Sequence, residues 1–404
     1  MRVLILSVNF APEFTGIAPY TTALAYHLSK SHEVTVVAGL PHYPEWRVAP
    51  EWRHWRSVEH RDNLEIIRLS HYVPPTQDTV RRGTYEMTWA TRALVEGLRH
   101  PADVVIGVVP ALLTSHLAAL VARRHHAPFG IVVQDIMSRA VAQSGIKGGK
   151  SAAGATARVE GSGLRRADGV CTIHPRFASV LVEHYGVSAE KVRVIYNWSH
   201  IKLPQGDRNG FRQRMGWTDG QIVALHSGNM GLKQDLDNVV EAARLSQGQD
   251  ASVHFVLIGD GNQRRRLTSA AAGLSQIEIR DGVPSKDFPD LLAAADVLLV
   301  NERAGVLEMS LPSKLTSYLA AGRPIVAATE AASATAELVG ASSGGIITPP
   351  ADPQGLLDAV RDIAADPSKA AELGRSGQQF ARDELDSESA LAAYQEWIEH
   401  LCDE

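Results

Sequence analysis

The sequence QIVALHSGNMGLKQDLDNVVEAARL, residues 221–245, joins an apolar run, a glycine-containing turn and a helical pattern. The run over residues 221–225 is short and mostly apolar, which is typical of a buried parallel strand. Beyond the turn, apolar side chains recur with helical spacing at Leu236, Val239, Val240 and Ala243. We therefore predict a strand, a tight turn and a helix over residues 235–245, as in a parallel α/β sheet.

The turn between these two elements has the composition of a phosphate-binding site. Gly228 and Gly231, which flank Asn229, let a ligand approach the backbone, and free amides at a helix start attract phosphate oxygens. Lys233 adds a mobile positive charge. We expect a diphosphate here, and sugar nucleotides are the commonest diphosphates bound in this way. An ordinary strand–helix turn with a surface lysine accounts for this motif equally well.

Length and composition limit the class of protein. The 404 residues exceed one ordinary core and fit two domains of about 200 residues. With 45% hydrophobic and 21% charged residues the chain resembles soluble globular proteins, and no apolar run approaches the ~20 residues that span a bilayer. Pro12 and Gly16 soon follow the first strand, so no signal peptide is expected. Two distant cysteines, Cys171 and Cys402, give no disulfide framework or zinc spacing and favour a reducing cytoplasm.

Charge is distributed unevenly along the chain, whose formal net charge is −5. Residues 1–198 hold 22 basic and 16 acidic side chains, whereas residues 199–404 hold 18 and 29. A basic half with exposed aromatic residues fits peripheral contact with an anionic membrane, or a polyanionic acceptor. Solvated helix faces explain the same charges equally well. No basic stripe or recognition motif indicates nucleic acid.

Strands and helices alternate throughout the sequence, which predicts α/β domains with parallel sheets covered on both faces. In the amino half we predict strands at residues 2–7, 33–37, 64–69, 104–108, 130–134, 169–173 and 192–195. Helical patterns lie between them at residues 17–29, 85–98, 112–124 and 176–185. In the carboxyl half we predict strands at residues 222–225, 253–258, 277–279, 297–300, 325–328 and 345–347.

The alternation is interrupted between residues 197 and 209, where Pro204 and Gly206 occur. This break predicts two doubly wound, Rossmann-like domains, residues 1–200 and 201–386, with ligand sites at the carboxyl ends of their strands. The segment 387–404 follows the completed second sheet, and we expect its helix to pack back on the first domain.

Two further turns in the carboxyl half extend the predicted phosphate site. Gly259 and Gly261 follow a predicted strand and should line the same cleft, although Arg264 stands where a dinucleotide fingerprint has its third glycine. Ser313 and Lys314 stand at a predicted helix start, where Ser313 can cap the helix and free amides bind phosphate oxygens. Structural turns and a capped helix are the competing interpretations.

Some motifs argue against other kinds of site. Asp235 and Asp237 match a D-x-D metal motif superficially, but at a helix start carboxylates cap amides, so we expect no metal. No G-x-S-x-G elbow and no P-loop occurs.

In the amino half, polar and aromatic residues follow the predicted strands. Gln134 and Asp135 end an apolar strand, where functional polar residues are expected; a carboxylate that caps the next turn is the alternative. Tyr43 and Trp46 lie in an aromatic loop that suits sugar rings or lipid head groups, or that simply packs on itself.

These segments together resemble the retaining family-4 glycosyltransferases of the two-domain GT-B fold, particularly the colanic-acid-type branch of surface-polysaccharide assembly. The matching segments, in the expected order, are residues 11–17, 20–21, 43–46, 107–110, 134–135, 161–164, 197–198, 227–234 and 311–316. They span nearly the whole chain, and their combination is specific where each alone is not.

The resemblance implies that a sugar moves from a nucleotide-diphosphate donor to an acceptor, with retained anomeric configuration, between two domains that face each other across a cleft. Its implied catalytic residues are Lys233, Asp135 and Glu308. Its implied donor-binding residues are Gly16, Gly228, Asn229, Gly231, Gly259, Gly261, Val283, Ser313 and Lys314. Its implied acceptor-binding residues, in the amino domain, are Glu13, Tyr20, Tyr43, Trp46 and Gln134.

Two departures from the family affect this assignment. The family's E-x7-E pair is absent, because Ser310 stands eight residues after Glu302 and Thr316 eight after Glu308. The family often pairs an arginine with the lysine, whereas this turn offers Asn229, so Lys233 must carry more of the charge stabilisation.

The resemblance further implies no metal ion and no cofactor, a UDP-sugar donor with a GDP-sugar second, and a lipid-linked or glycan acceptor. We expect the protein in the cytoplasm, at the inner face of the plasma membrane. Three alternatives stay open: a natural-product glycosyltransferase with a soluble acceptor, a sugar-nucleotide epimerase, and a non-catalytic sugar-nucleotide-binding protein.

Overall fold

The computed structural model describes residues 1–76, 78–138, 149–199, 206–249, 252–307 and 312–403. The chain divides into two compact units. Unit 1 comprises Met1–Asn197 and Ser387–Glu404, and unit 2 comprises Trp198–Asp386. Each unit is built on a sheet of mainly parallel strands, so the predicted fold class of two Rossmann-like α/β domains is confirmed.

Unit 1 contains an eight-stranded sheet in the order β3-β4-β2-β1-β5-β6-β7-β8. Its strands are β1 (Arg2–Ser7), β2 (Glu33–Gly39), β3 (Arg56–Arg61), β4 (Leu64–Leu69), β5 (Val104–Val109), β6 (Phe129–Val133), β7 (Gly169–Thr172) and β8 (Val192–Val194). The seven strands predicted for this half are present, each with its ends within two residues of the prediction.

Strand β3 is a difference from the prediction, because it pairs antiparallel to β4 at the edge of an otherwise parallel sheet. Its sequence, RSVEHR, is polar, and most of its side chains are exposed. A strand that buries neither face carries no apolar run, so its sequence lacks the signal by which the other strands are predicted.

The helices of unit 1 are α1 (Ala18–Leu28), α2 (Thr79–Arg99), α3 (Thr114–His125), α4 (Gly149–Leu164), α5 (Pro175–Glu183) and α14 (Ser387–Asp403). Helix α14, the last of the chain, packs on this sheet. A Cβ atom at Gly130 or Gly169 would lie 2.6 Å or 2.9 Å from the Trp397 indole. The two glycines therefore let the helix approach the strands closely.

Unit 2 contains six parallel strands in the order β11-β10-β9-β12-β13-β14. They are β9 (Ile222–Ser227), β10 (Val253–Ile258), β11 (Ile277–Arg280), β12 (Val297–Asn301), β13 (Ile325–Ala328) and β14 (Gly345–Thr348). The helices are α6 (Arg208–Met215), α7 (Asp237–Gln249), α8 (Arg264–Ala270), α9 (Phe288–Ala294), α10 (Lys314–Ala320), α11 (Ala334–Ser342), α12 (Pro353–Ala365) and α13 (Pro367–Glu384). Strand order reverses between β9 and β12, and loops diverge at such a switch point to leave room for a ligand.

Within the described residues, no helix has both the length and the apolar composition to cross a membrane.

Candidate active site

The glycine turns that follow β9 and β10 interlock through their backbones. Gly259 has φ +139°, and a Cβ there would overlap the carbonyl oxygen of Gly228. Gly261 has φ +155°, and its Cβ would lie 2.5 Å from the Met230 oxygen. The N–H of Met230 donates to the carbonyl of Asp260 at 2.8 Å. The second turn therefore packs directly against the backbone of the first. Only glycine, which has no side chain, allows so close an approach.

The end of β12 holds the backbone of the turn that carries Lys233. The N–H of Arg303 donates to the Lys233 oxygen at 2.8 Å. The Asn301 amide, which is buried, donates to the carbonyls of Gln234 and Asp235 at 2.7 Å and 2.9 Å. Asn301 is absent from the predicted site residues, and its position at the end of an apolar strand is the signal that could have indicated it.

A buried carboxylate lies beside the Lys233 ammonium. The Glu302 Oε1 atom is 3.7 Å from Lys233 Nζ, and the Glu302 side chain is only 3% exposed. Its Oε2 accepts a 2.9 Å hydrogen bond from the Thr329 hydroxyl, whereas Oε1 accepts none from the part of the chain that is described. Glu302 therefore supplies the counter-charge of this site. In the sequence, Glu302 stands out only as one end of the family's acidic pair, whose other end is replaced by Ser310.

Lys314 brings a second ammonium to the same strand ends. Its Nζ lies 3.1 Å from His226 Nε2, and a Cβ at Gly228 would lie 3.5 Å from Nζ. Burial lowers the pKa of Lys314 to about 7. The Glu302 carboxylate raises this pKa, and the Lys233 ammonium lowers it. Burial also lowers the pKa of His226, so its imidazole is neutral at pH 7. Two lysines and one carboxylate thus surround the glycine turn, an arrangement suited to a diphosphate.

The other residues predicted for unit 2 occupy varied positions. Asn229 is exposed on the turn, and half-buried Val283 lies three residues beyond β11. The predicted cap on α10 is wrong: Ser313 makes no side-chain capping bond, and its carbonyl instead accepts from the Thr316 hydroxyl at 2.9 Å. Glu308 lies outside the described residues.

The second aspartate of the D-x-D motif, Asp237, forms an ion pair within unit 2. Both oxygens of the Asp237 carboxylate accept from the Arg266 guanidinium, at 2.6 Å and 2.5 Å. Asp235 adopts the left-handed conformation with φ +43°, between the turn and α7.

In unit 1, the buried carboxylate of Glu13 ties two loops together. Its Oε1 accepts from the N–H groups of His42 and Tyr43 at 2.8 Å and 2.9 Å, and its Oε2 accepts from the Asn9 amide at 2.8 Å. The buried carboxylate thus positions the loop after β2, and the acceptor contact predicted for Glu13 stays a prediction.

Tyr43 forms one cluster with two other predicted residues. A Cβ at Gly16, which has φ +64°, would lie 3.2 Å from the Tyr43 ring. Burial raises the pKa of Tyr43, and the nearby carboxylates of Asp135 and Glu13 raise it further. The Trp46 ring lies next to the Tyr43 ring, with 6.1 Å between the two centroids.

Gln134 and Tyr20 lie in the interior of unit 1. The Gln134 amide pairs with that of Asn197 through bonds of 2.7 Å and 3.2 Å. Tyr20 is 4% exposed and lies close enough to Tyr394 of α14 for the two phenols to interact electrostatically. Both side chains are buried and make contacts within unit 1, and their predicted acceptor contacts stay predictions.

Sequence comparison identifies two glycosyltransferase domains and full-length relatives. The glycosyl transferase 4-like domain matches residues 15–198, and the domain of the glycosyl transferases group 1 matches residues 221–366. The putative colanic acid biosynthesis glycosyl transferase WcaI of Escherichia coli (strain K12) is 31% identical over 409 residues, which cover 98% of each chain. The GDP-mannose-dependent alpha-(1-6)-phosphatidylinositol monomannoside mannosyltransferase of Mycolicibacterium smegmatis is 23% identical over 94% of each chain.

Structural comparison agrees on the fold. Anabaena Alr3699/HepE, solved in complex with UDP, superimposes with a TM-score of 0.71 at 17% identity, over 99% of this chain and 100% of its own. At that identity the likeness concerns the fold alone.

Proposed function

This chain belongs to the family-4 glycosyltransferases of the GT-B fold, and on that premise we propose that it transfers a sugar from a nucleotide-diphosphate donor to a lipid-linked or glycan acceptor of a surface polysaccharide. We assign it a retaining, metal-independent reaction at the inner face of the plasma membrane. A UDP-sugar is the preferred donor, in keeping with UDP in HepE, and a GDP-sugar is second, in keeping with the GDP-mannose-dependent relative.

The observation that carries this proposal is the pair of ammonium groups around the glycine turn of unit 2. Cleavage of the bond between sugar and diphosphate builds negative charge on the departing phosphates, and preorganised cations stabilise that charge. Lys233 stabilises the leaving diphosphate, while Lys314 supplies the second positive charge that Asn229 cannot. The glycine turn lets the diphosphate approach the backbone closely, and the backbone near Val283 contacts the base.

Glu302 sets the geometry of these cations before the donor arrives. Its carboxylate is within 3.7 Å of Lys233 Nζ and also acts electrostatically on Lys314. A buried carboxylate that attracts both ammoniums offsets part of their mutual repulsion. When the donor binds, its diphosphate oxygens provide part of the negative charge that Glu302 provides in the free protein.

For the acceptor we propose unit 1, with Asp135 and Tyr43 as its polar contacts and Trp46 as an aromatic wall. Glu13 acts through Tyr43, whose backbone it holds. The roles of Gly16 at the donor phosphates and of Glu308 at the sugar stay predictions. The departing phosphate accepts the acceptor's proton, so no side-chain base is required.

The proposed function is tested by nucleotide binding followed by turnover. UDP, GDP, ADP and TDP are screened for an increase in the thermal unfolding temperature, and UDP is expected to give the largest. The matching nucleotide sugars are then incubated with and without a lipid-linked acceptor, and release of the free nucleotide diphosphate is measured. Acceptor-dependent release supports the transferase. A new sugar nucleotide formed from donor alone would indicate an epimerase, and binding without release with any acceptor would indicate a binding protein.

We expect donor affinity to fall as the pH rises above about 7, through Lys314. Its pKa of about 7 means that the ammonium is charged below this pH and must take up a proton to bind a diphosphate above it. The dissociation constant should therefore rise by at most about tenfold per pH unit, until the higher pKa of the complex is reached. The measurement is titration calorimetry with UDP-glucose between pH 6 and 9, in two buffers of different ionisation enthalpy.

The doubly esterified diphosphate of a nucleotide sugar lacks the monoester ionisation near about pH 6, so it does not contribute to this profile. Lys314→Gln is the control, and it should bind more weakly with a flat profile. An equally steep profile in that variant would assign the titration to another group, of which Lys233, Glu302 and His226 are the charged or ionisable neighbours.

A further inference from the structure

Among the described residues, unit 1 exposes more large apolar side chains than unit 2 does. Among the described residues, unit 2 has only Leu232 and Ile347 in this class, whereas unit 1 has nine. Seven of the nine lie between residues 55 and 98. They are Trp55, Val58, Tyr72, Val80, Met87, Val95 and Leu98. Such a concentration marks an interaction surface, since scattered apolar residues would be shared between the units.

Four of these side chains form a stripe along α2. Val80, Met87, Val95 and Leu98 fall within roughly 80° of the helix circumference at 3.6 residues per turn, and the stripe is about 27 Å long. Val80 is 79% exposed and Met87 is 58% exposed. The opposite face of the helix packs into the unit through Tyr85 and Trp89, which are buried. Helix α2 is therefore apolar on both faces, and only one of them is covered within unit 1.

Residues outside the helix extend the stripe. The Trp55 ring, 77% exposed, lies against the Arg92 guanidinium, whose Cζ is 3.5 Å from the ring centroid. Arg92 Nη2 also donates to the Trp55 carbonyl at 2.8 Å. The Tyr72 N–H donates to the Thr88 hydroxyl at 3.1 Å, so Tyr72 lies beside the middle of the helix.

The charges of α2 are segregated as well. Arg81, Arg92 and Arg99 lie in a row along one flank of the stripe, by the same helical geometry. Glu86 and Glu96, the only carboxylates in the sequence of this helix, are 6% and 4% exposed. Arg81 is ion-paired with the Asp78 carboxylate at 3.4 Å, and Arg99 and Arg56 share the Glu96 carboxylate at 3.4 Å and 3.0 Å. Arg56, Arg92 and Arg99 outnumber Glu96 on this flank, so its remaining charge is positive. We call the stripe, Trp55, Tyr72 and the three arginines the α2 surface.

We propose that the α2 surface docks the enzyme onto an anionic lipid bilayer. Apolar side chains on one helix face enter the head-group region, tryptophan and tyrosine favour that depth, and arginines attract anionic lipids. This inference deepens the proposed function, because it names the surface by which an enzyme with a lipid-linked acceptor reaches its substrate.

The same helix connects this surface to the acceptor-side loop. On its covered face, the Tyr85 ring centroid lies 5.6 Å from that of Trp46 and 5.5 Å from that of His42. The loop that holds Tyr43 thus rests on the helix whose outer face meets the lipid. A bilayer-bound acceptor would be presented beside the residues proposed to contact it.

The test is flotation of the full chain with vesicles of phosphatidylcholine alone and of phosphatidylcholine with about a third phosphatidylglycerol. We expect binding to the anionic vesicles that weakens with salt, and little binding to the neutral ones. The double variant Met87→Asp, Val95→Asp should lower the bound fraction by roughly tenfold or more, since it removes apolar contact and adds repulsive charge. Ile347→Asp, the same kind of change at an exposed apolar residue of unit 2, should bind as the unaltered protein does.

Circular dichroism and the thermal unfolding temperature establish that the variants fold. Equal flotation of the double variant, or equal binding to neutral vesicles, would overturn the proposal. So would a dimer in light scattering that the same substitutions abolish, because the surface would then bind a second copy. Thermal stabilisation by UDP should be unchanged in the double variant. If UDP did not stabilise the unaltered protein, the result would count against the transferase. If UDP stabilised it but it did not float with anionic vesicles, the result would count against the docking surface alone.

Discussion

Lys233→Ala should lower turnover by roughly two orders of magnitude or more at saturating donor, the largest effect that we expect from a single side chain. A lost charge-stabilising donor at a developing anion costs about 2.7–4 kcal/mol of transition-state stabilisation. Asn229 stands in the turn where the family often has an arginine, and Lys314 approaches from another strand end, so Lys233 carries much of the charge stabilisation. The rate of nucleotide release with donor and acceptor in excess measures the effect.

Lys369→Ala is the matched control, since it removes an exposed lysine from helix α13 of the same unit. Its turnover should equal that of the unaltered protein. A turnover close to normal in Lys233→Ala would remove the assignment of this turn to the leaving diphosphate. A loss confined to KM, with kcat intact, would show that Lys233 binds the donor equally in ground and transition states.

Gly259→Ala should destabilise unit 2 and disrupt the donor site together. The added Cβ would overlap the Gly228 oxygen, and the φ of +139° disfavours any side chain. Backbone strain and overpacking each cost about 1–3 kcal/mol, so we expect the free energy of unfolding to fall by roughly 2–6 kcal/mol. The measurement is denaturant unfolding followed together with UDP binding.

Gly248→Ala provides the comparison for this substitution. Gly248 lies in α7, and a Cβ there meets no atom within 4 Å. Alanine in a helix is favoured over glycine by about 1 kcal/mol, so stability should be unchanged or slightly raised. If Gly259→Ala unfolded at the same denaturant concentration and bound UDP normally, the interlocked turns would not be what positions Lys233.

Much of the geometry of the proposed donor site could be predicted because its signals are local. The apolar run, the glycine turn and Lys233 are contiguous, so the strand–turn–helix unit and its cation were identified together. Lys314 was found in the same way, from its place at a helix start. Glu302 was not, because the sequence does not show that its carboxylate is buried 3.7 Å from the Lys233 ammonium.

The acceptor side was harder to predict, for a physical reason. Glu13, Gln134 and Tyr20 are polar residues near strand ends or a helix start, and the sequence cannot tell whether such a group faces solvent or a buried partner. Glu13 accepts hydrogen bonds from Asn9 and from the backbone of residues 42 and 43. Gln134 pairs with Asn197, and Tyr20 lies near Tyr394. Internal contacts therefore account for three of the five residues predicted for the acceptor, whose acceptor roles stay predictions.

By itself the sequence determined the alternation of buried strands and helices, hence two parallel-sheet units and the strand ends at which the site is built. These features depend on the spacing of apolar residues within short segments, because each segment buries its own apolar face. Only the tertiary structure decided which charges meet, which amides pair and which face of α2 stays uncovered. Those outcomes depend on distances between residues far apart in the chain, and no local pattern encodes such distances.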